Sequence, residues 1–575
     1  MSIEQFNKFP HYICDYVSKY AQERPDDIAI IDADTGKYVS WKEFDNAIDI
    51  IALRLIEMGF QKGDIIVSML PLLLEHIFFE FACFKLGIMW CPLDVRLKEM
   101  ETVRCVKLLE PDVKMYLHPD DTDSEDKWGR KKRYDFKQIA HAVKENCPSI
   151  ENFIQFSLQE DAEKGTIGFM NFLKKAKENW YIYSQNPQLF KKKREIIRDY
   201  ARNVKEDDPI LIIYTTGTTG FPKPAMLTNV GIVCQNFCMA KGFKISSDDR
   251  MLVNLPPSHV GCQTEQLMTT IFAGGISVVL HAFKADKTLK AIEQYKVTTF
   301  GQIPSLFVME WRLPDYDTYD LSSLRFALYG GQGVSRRFLD NLSTMAPHIG
   351  SGLGLTEMSG FVSYTPFGGP PEDILASLGY DFPITPLTIR EPMKEDRRAG
   401  DELPDGEIGE ICYSGPQVFK GYYGKEQATQ ETISKEGICY TGDLGYKNEK
   451  GLHLAGRAKF VIKPKGYQVY PPEVENHIEE IPKVSSAAVV GAKHEVYSEG
   501  VVAFVELRKN KNLSKEEINQ HCKKLAGYKR PSLIIFLEQI PLNRVDKTDY
   551  KILNEKVSDY VEKARAEGKW DAKEH

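Results

Sequence analysis

A chain of 575 residues, 42% hydrophobic and 27% charged, exceeds what one hydrophobic core organises, so two or three domains are expected. This composition excludes a disordered or fibrous protein, and a net charge of -7 makes no whole-molecule case for nucleic acid or an anionic membrane as partner. The 11 cysteines are scattered from Cys14 to Cys522 without metal-type pairs, Cys234 and Cys238 included, which points to a reduced, cytoplasmic protein.

The N-terminal stretch lacks a basic segment followed by an apolar run, so no signal peptide is expected. Strand-like and helical patterns alternate between Ala29 and Leu117. The most apolar stretch, Ile65 to Leu86, is interrupted by Pro71, Glu75, Glu80 and Lys85, which reads as a buried strand and a helix, not as an integral membrane segment. From residue 120 to 208 an acidic run up to Asp126 meets Lys127 and Arg130 to Arg133, and a second basic cluster follows at Lys191 to Arg194. This segment is expected to be an insertion with a solvated surface, because adjacent opposite charges cancel their fields beyond about 10 Å.

Pro209 to Pro347 shows the clearest βαβα rhythm, that of a largely parallel sheet covered by helices. In the helix expected after Val334, Phe338, Leu339, Leu342 and Met345 form one apolar face. Gly/Pro-rich segments from Gly368 to Gly409, with the run Glu407 to Gly415, suggest shorter antiparallel strands. After Gly456 the chain turns more basic and an α+β unit begins, with a capping box of Ser514 and Glu517 opening one helix. The fold class expected is α/β. A large N-terminal domain over 1–457, with two parallel-type βα subdomains and a small barrel-like part, precedes a small α+β domain over 458–575.

The strongest chemical signal is the run Tyr214 to Lys223, in which Thr215, Thr216, Gly217, Thr218, Thr219 and Gly220 follow a strand and precede Lys223. Small residues expose backbone N–H groups and hydroxyls to phosphate oxygens, and the lysine adds a point charge. The spacing is not that of a Walker A loop.

This run resembles the phosphate loop of the adenylate-forming superfamily, which includes acyl-CoA synthetases, luciferase and peptide-synthetase adenylation domains, and further motifs continue the resemblance in order. Leu353-Gly354-Leu355-Thr356-Glu357 is similar to a motif in which Thr356 would meet the α-phosphate and Glu357 would hold Mg²⁺. Tyr440 to Asp443 resembles the turn whose aspartate binds the ribose, and Gly330, Gly331 and Gln332 would line the nucleotide and acid sites. Gly456 to Gly466 resembles a hinge motif, with Arg457 near the nucleotide and Lys459 as the pivot of a mobile C-terminal domain. Pro541 to Lys547 resembles the segment that ends in the catalytic lysine. Lys465, Gly466 and Tyr467 would meet coenzyme A.

The sequence departs from the family pattern in four places: Thr216 for serine, Pro224 for glycine, Leu353 for an aromatic, and Asp546 for the glycine before Lys547. A carboxylate at 546 is expected to raise the lysine pKa or restrict its loop. The segment around His259, Val260 and Gly261 resembles that of acyl-CoA and aryl-CoA ligases, and Val260 falls roughly where amino-acid-activating domains carry an aspartate. A core-packing role for His259 stays open. The resemblance thus implies an ATP-, Mg²⁺- and coenzyme A-dependent ligase acting on a nonpolar carboxylic acid in fatty or aromatic acid metabolism. Transfer to another acceptor and luciferase-type chemistry are the alternatives.

Overall fold

The run Pro209–Tyr214 is buried along its middle and sits inside a sheet, as a short apolar segment covered on both faces must. The computed structural model describes residues 3–125, 131–156, 162, 165–215, 222–457, 460–464, 467–494, 498–543 and 547–570. Among the described residues, two large sheets dominate the N-terminal part. The eight-stranded one runs Gly421–Tyr422, Pro224–Thr228, Pro209–Tyr214, Met89–Pro92, Ile65–Ser68, Val113–Pro119, Asn152–Phe156 and Ile167–Gly168. Its interior pairings are parallel, while Pro224–Thr228 pairs antiparallel on both sides. The seven-stranded sheet pairs His348–Gly350, Phe326–Tyr329, Thr299–Gln302, Arg250–Val253, Ile276–Val279 and Ile28–Asp32 in parallel, then adds Lys37–Ser40 antiparallel.

The helices Leu74–Leu86 and Asn229–Gly242 contribute to one continuous apolar core. Leu74–Leu86 follows the buried strand Ile65–Ser68 as expected, and Arg336–Met345 buries Phe338, Leu339, Leu342 and Met345, the face read from the sequence. The charged segment 120–208 does more than coat a surface. It adds the strands Asn152–Phe156 and Ile167–Gly168 to the sheet, and Lys193 and Arg194 pair with Glu57 and Asp49 on the neighbouring helix Trp41–Glu57.

The expected barrel-like part is an antiparallel four-stranded sheet, ordered Leu387–Arg390, Gly409–Tyr413, Cys439–Asn448 and Gly451–Arg457. Its outer strands do not pair with each other among the described residues. The smaller C-terminal domain has the strands Val484–His494, Ser498–Leu507 and Leu533–Leu537, packed by Pro471–Glu479, Lys515–Cys522 and Tyr550–Ala566. Its capping box is formed: Glu517 N donates to Ser514 Oγ and Ser514 N to the Glu517 carboxylate. All 11 cysteines are free and buried, and no described helix is long and apolar enough to cross a membrane.

Candidate active site

The threonine- and glycine-rich loop joins two antiparallel neighbours, Pro209–Tyr214 and Pro224–Thr228, and its neck is closed by two hydrogen bonds. Thr215 N donates to the Lys223 carbonyl at 2.9 Å, and Lys223 N donates to Thr215 Oγ1 at 3.3 Å. Thr216, Gly217, Thr218, Thr219 and Gly220 lie outside the described residues. Lys223 Nζ stands 4.5 Å from the centre of the Tyr422 ring, a cation–π contact. The register Ala225↔Tyr422 brings that tyrosine alongside.

The Tyr422 hydroxyl donates to Glu357 Oε1 at 2.6 Å, so Tyr422 links Lys223 to the second motif. Burial, and then the Glu357 charge, push the Tyr422 pKa far up and keep the hydroxyl a donor. Glu357 sits in the short 3₁₀ turn Thr356–Met358, after Gly354–Leu355 pairs with Gly360–Phe361. Ser359 closes this turn at φ 57, a left-handed conformation rare outside glycine. Leu353 packs against the main core.

Asp443 and Arg457 face each other across adjacent strands, and Arg457 Nε pairs with Asp443 Oδ1 at 2.7 Å. The aspartate is 4% exposed. The arginine head is far more open.

Lys547 comes from the C-terminal domain, yet its side chain lies across Gly331. A Cβ added to that glycine would stand 3.4 Å from Lys547 Cε and 3.5 Å from Nζ. Gly331 has φ +92, a backbone conformation that favours glycine. Asn543 holds the lysine backbone: Lys547 N donates to Asn543 Oδ1 at 3.1 Å, and Asn543 N donates to the Lys547 carbonyl at 2.7 Å. Burial, then the Arg457 charge, pull the ammonium pKa below the ordinary lysine value, with Asp443 and Glu265 acting against them. The effect expected of Asp546 concerns a residue that lies outside the described residues.

His259 is partly exposed, and burial followed by Lys547 pushes its pKa down to about 4, leaving a neutral imidazole. Val260 is buried in the core, and Gly261 opens a π-helical turn, Gly261–Met268. Gly330 and Gln332 flank Gly331 after the strand Phe326–Tyr329. Lys459, Lys465 and Gly466 lie outside the described residues, while Tyr467 is exposed and stacks on Tyr528 with ring centres 4.6 Å apart.

Two residues escaped the sequence reading. Tyr422 reaches Glu357 from a distant part of the chain, and no spacing announces that contact. Glu265 carries a faint signal, a lone carboxylate in the otherwise uncharged run from Val260 to Gly275.

Residues 17–423 match the AMP-binding enzyme family and residues 473–547 match the AMP-binding enzyme C-terminal domain, and the chain belongs to this family. It is 33% identical over 371 residues to a protein of Humulus lupulus named 4-coumarate–CoA ligase CCL1, a match that takes in 62% of this chain and 66% of that ligase. A Bacillus subtilis protein, YngI, whose name describes an acyl-CoA synthetase, is 26% identical across 93% of this chain and 95% of its own. The fold is shared with ATP-bound MatB from Rhodopseudomonas palustris, at TM-score 0.75 and 23% identity, covering 95% of this chain and 99% of the other.

Proposed function

We propose that the chain joins a carboxylic acid to AMP and then transfers the acyl group to the thiol of coenzyme A. The carrying observation is the convergence of Lys547, borne by the C-terminal domain, on Gly331, with His259 and the Asp443–Arg457 pair in its electrostatic surroundings. Attack of a carboxylate on the α-phosphorus brings two anions together, so a site for it must supply cations where charge builds up. Lys547 answers that need at the carboxylate and α-phosphate, and Lys223 at the other phosphates. Asp443 would accept from the ribose hydroxyls. In the first step the carboxylate oxygen bonds to the α-phosphorus and the bond to the bridging oxygen breaks, releasing pyrophosphate. In the second the sulfur bonds to the acyl carbon, AMP departs and the thiol proton is released.

Glu357 suits Mg²⁺: its carboxylate is partly exposed, one oxygen is taken by Tyr422, and a single carboxylate shared with substrate phosphates is a common way to hold this ion. The ion would neutralise phosphate charge. Coenzyme A as the acceptor is supported by the names of the hop and Bacillus relatives. The pivot is assigned to Lys459, with the domain boundary after Arg457, and Lys465, Gly466 and Tyr467 to the coenzyme A side. The acid is assigned a nonpolar frame, aromatic, alicyclic or medium-chain, since Val260 offers an ammonium no partner. The free buried cysteines support a cytoplasmic setting.

The test mixes the full chain with ATP, Mg²⁺ and a panel of carboxylic acids, follows pyrophosphate release, and then adds coenzyme A. Acid-dependent release followed by thioester formation is expected. No release with any acid overturns the adenylation reading, while release with an acyl-AMP that coenzyme A never discharges overturns only the acceptor.

A further inference from the structure

The turn Thr356–Met358 that carries Glu357 is held through its backbone by neighbouring segments. Phe419 N donates to the Glu357 carbonyl at 3.0 Å, Gln417 Nε2 to the Met358 carbonyl at 2.8 Å and the Phe361 carbonyl at 2.6 Å, and Thr264 Oγ1 to the Ser359 carbonyl at 2.6 Å. The Tyr422 hydroxyl is therefore not spent on fixing the turn. It reaches the Glu357 side chain alone, at Oε1, and among the described residues that carboxylate has no other hydrogen bond and no ion pair.

Tyr422 has its own place set by the edge of the eight-stranded sheet. Its N–H donates to Thr429 Oγ1 at 2.9 Å, its ring meets that of Phe419 edge-on with centres 4.8 Å apart, and its strand pairs with Ala225 and Met226. The residue before it must be glycine: Gly421 has φ +127, and an added Cβ would stand 2.7 Å from Thr429 Cγ2. Lys223 Nζ lies over the same tyrosine ring, 4.5 Å from its centre. One side chain thus touches a carboxylate through its hydroxyl and a cation through its ring.

We propose that Tyr422 is a positioning residue that confines Glu357 to ligation through one oxygen and so tunes the ATP site to a small divalent cation. The inference rests on the acid-adenylating reading, in which Glu357 holds Mg²⁺, and adds the residue that sets how the ion is held. Mg²⁺ demands near-ideal octahedral geometry at about 2.0–2.1 Å, whose right angles the two oxygens of one carboxylate are too close together to span, whereas Ca²⁺ takes carboxylates with both oxygens at about 2.3–2.6 Å. A donor on Oε1 occupies the oxygen that two-oxygen ligation needs and leaves Oε2 for a single bond. Hydrogen bonds of this kind orient a metal ligand before the ion arrives.

The test measures ATP affinity of the full chain by calorimetry in Mg²⁺, in Ca²⁺ and in chelator, for the wild type and for Tyr422→Phe, which keeps the ring beside Lys223 and removes only the hydroxyl. The wild type is expected to bind ATP more tightly in Mg²⁺ than in Ca²⁺. The variant should lose roughly 10-fold of that ratio, the lower end of what partners of a metal ligand contribute, while its affinity in chelator and its melting temperature stay near the wild-type values. A merely structural role would weaken all three affinities together. In a Glu357→Gln background the tyrosine substitution should leave the ratio where the glutamine alone puts it, because Tyr422 acts through that carboxylate. Should the phenylalanine variant fail to fold, Tyr422→Met carries the same comparison of ratios. A wild type that binds ATP equally in both ions, an unchanged ratio in a folded Phe or Met variant, or equal losses under all three conditions overturns the role of Tyr422 and leaves adenylation standing. Absence of acid- and Mg²⁺-dependent pyrophosphate release from the wild type instead overturns the reading on which it rests.

Discussion

Asp443 is nearly buried and already pairs with Arg457, which orients its carboxylate to accept hydrogen bonds. Charge-assisted hydrogen bonds contribute about 1.5–3 kcal/mol each, and Asp443→Ala is therefore expected to weaken ATP binding by that order with the fold retained. An unchanged KM for ATP in protein of normal melting temperature would reduce Asp443 to an anchor for Arg457. Asp443, Arg457, Lys547 and Glu357 were legible because each sits in a motif of fixed local spacing. Tyr422 and Glu265 were not. The first acts through a strand pairing between distant segments, and the second through a π-helical register that no periodicity announces.

At the scale of elements, Lys547 comes from the smaller domain while Gly331, which it lies across, follows the strand Phe326–Tyr329 of the larger one. The contact depends on how the two parts are docked. In the proposed two-pose mechanism a conformation of this kind would serve adenylation, and the thioester step would need the lysine withdrawn. Lys547→Ala is expected to lose acyl-AMP formation by roughly 10²-fold or more, the scale of one removed electrostatic stabiliser, yet still convert supplied acyl-AMP and coenzyme A to thioester. Lys459→Pro should fail in the opposite sense, accumulating acyl-AMP, because proline fixes φ near about -65° at the pivot. Equal loss of both half-reactions in both variants would remove the two-pose mechanism and both lysine roles together.

Across the whole molecule, several buried carboxyls titrate late. Burial raises Glu265 and Glu310 to about 8 and Glu475 to about 7, and lifts Glu80 well above the ordinary glutamate value. Between the unfolded value near 4.5 and these raised values, the native state keeps protons that the unfolded chain has released. Stability contributed by these groups is therefore full below that lower value and is lost as pH rises toward 8, by up to about 1.4 kcal/mol per pH unit for each group. Asp249 acts the other way. Burial opposes its ionisation, but hydrogen bonds from Arg325 and Thr298 outweigh burial and lower its pKa, so its contribution is lost only as pH falls below the ordinary aspartate range. The urea midpoint is expected to fall between pH 5.5 and 8, and to fall less in Glu310→Gln, whose amide can still accept from Gln302. Parallel midpoint profiles for the two proteins would show that Glu310 ionises without cost.

The order of strands and helices, the apolar faces and the motif residues were set by local chemistry. Periodicity marks what is buried, small residues mark the loop proposed to meet phosphate, and a Ser/Glu pair marks a helix start. The segment 120–208 illustrates the limit of that information: its charges describe its surface, whereas its place at the edge of the eight-stranded sheet follows from pairing with Val113–Pro119. The lowered pKa of Lys547 is likewise a tertiary property. Its burial and the charge of Arg457 come from folding the chain back on itself.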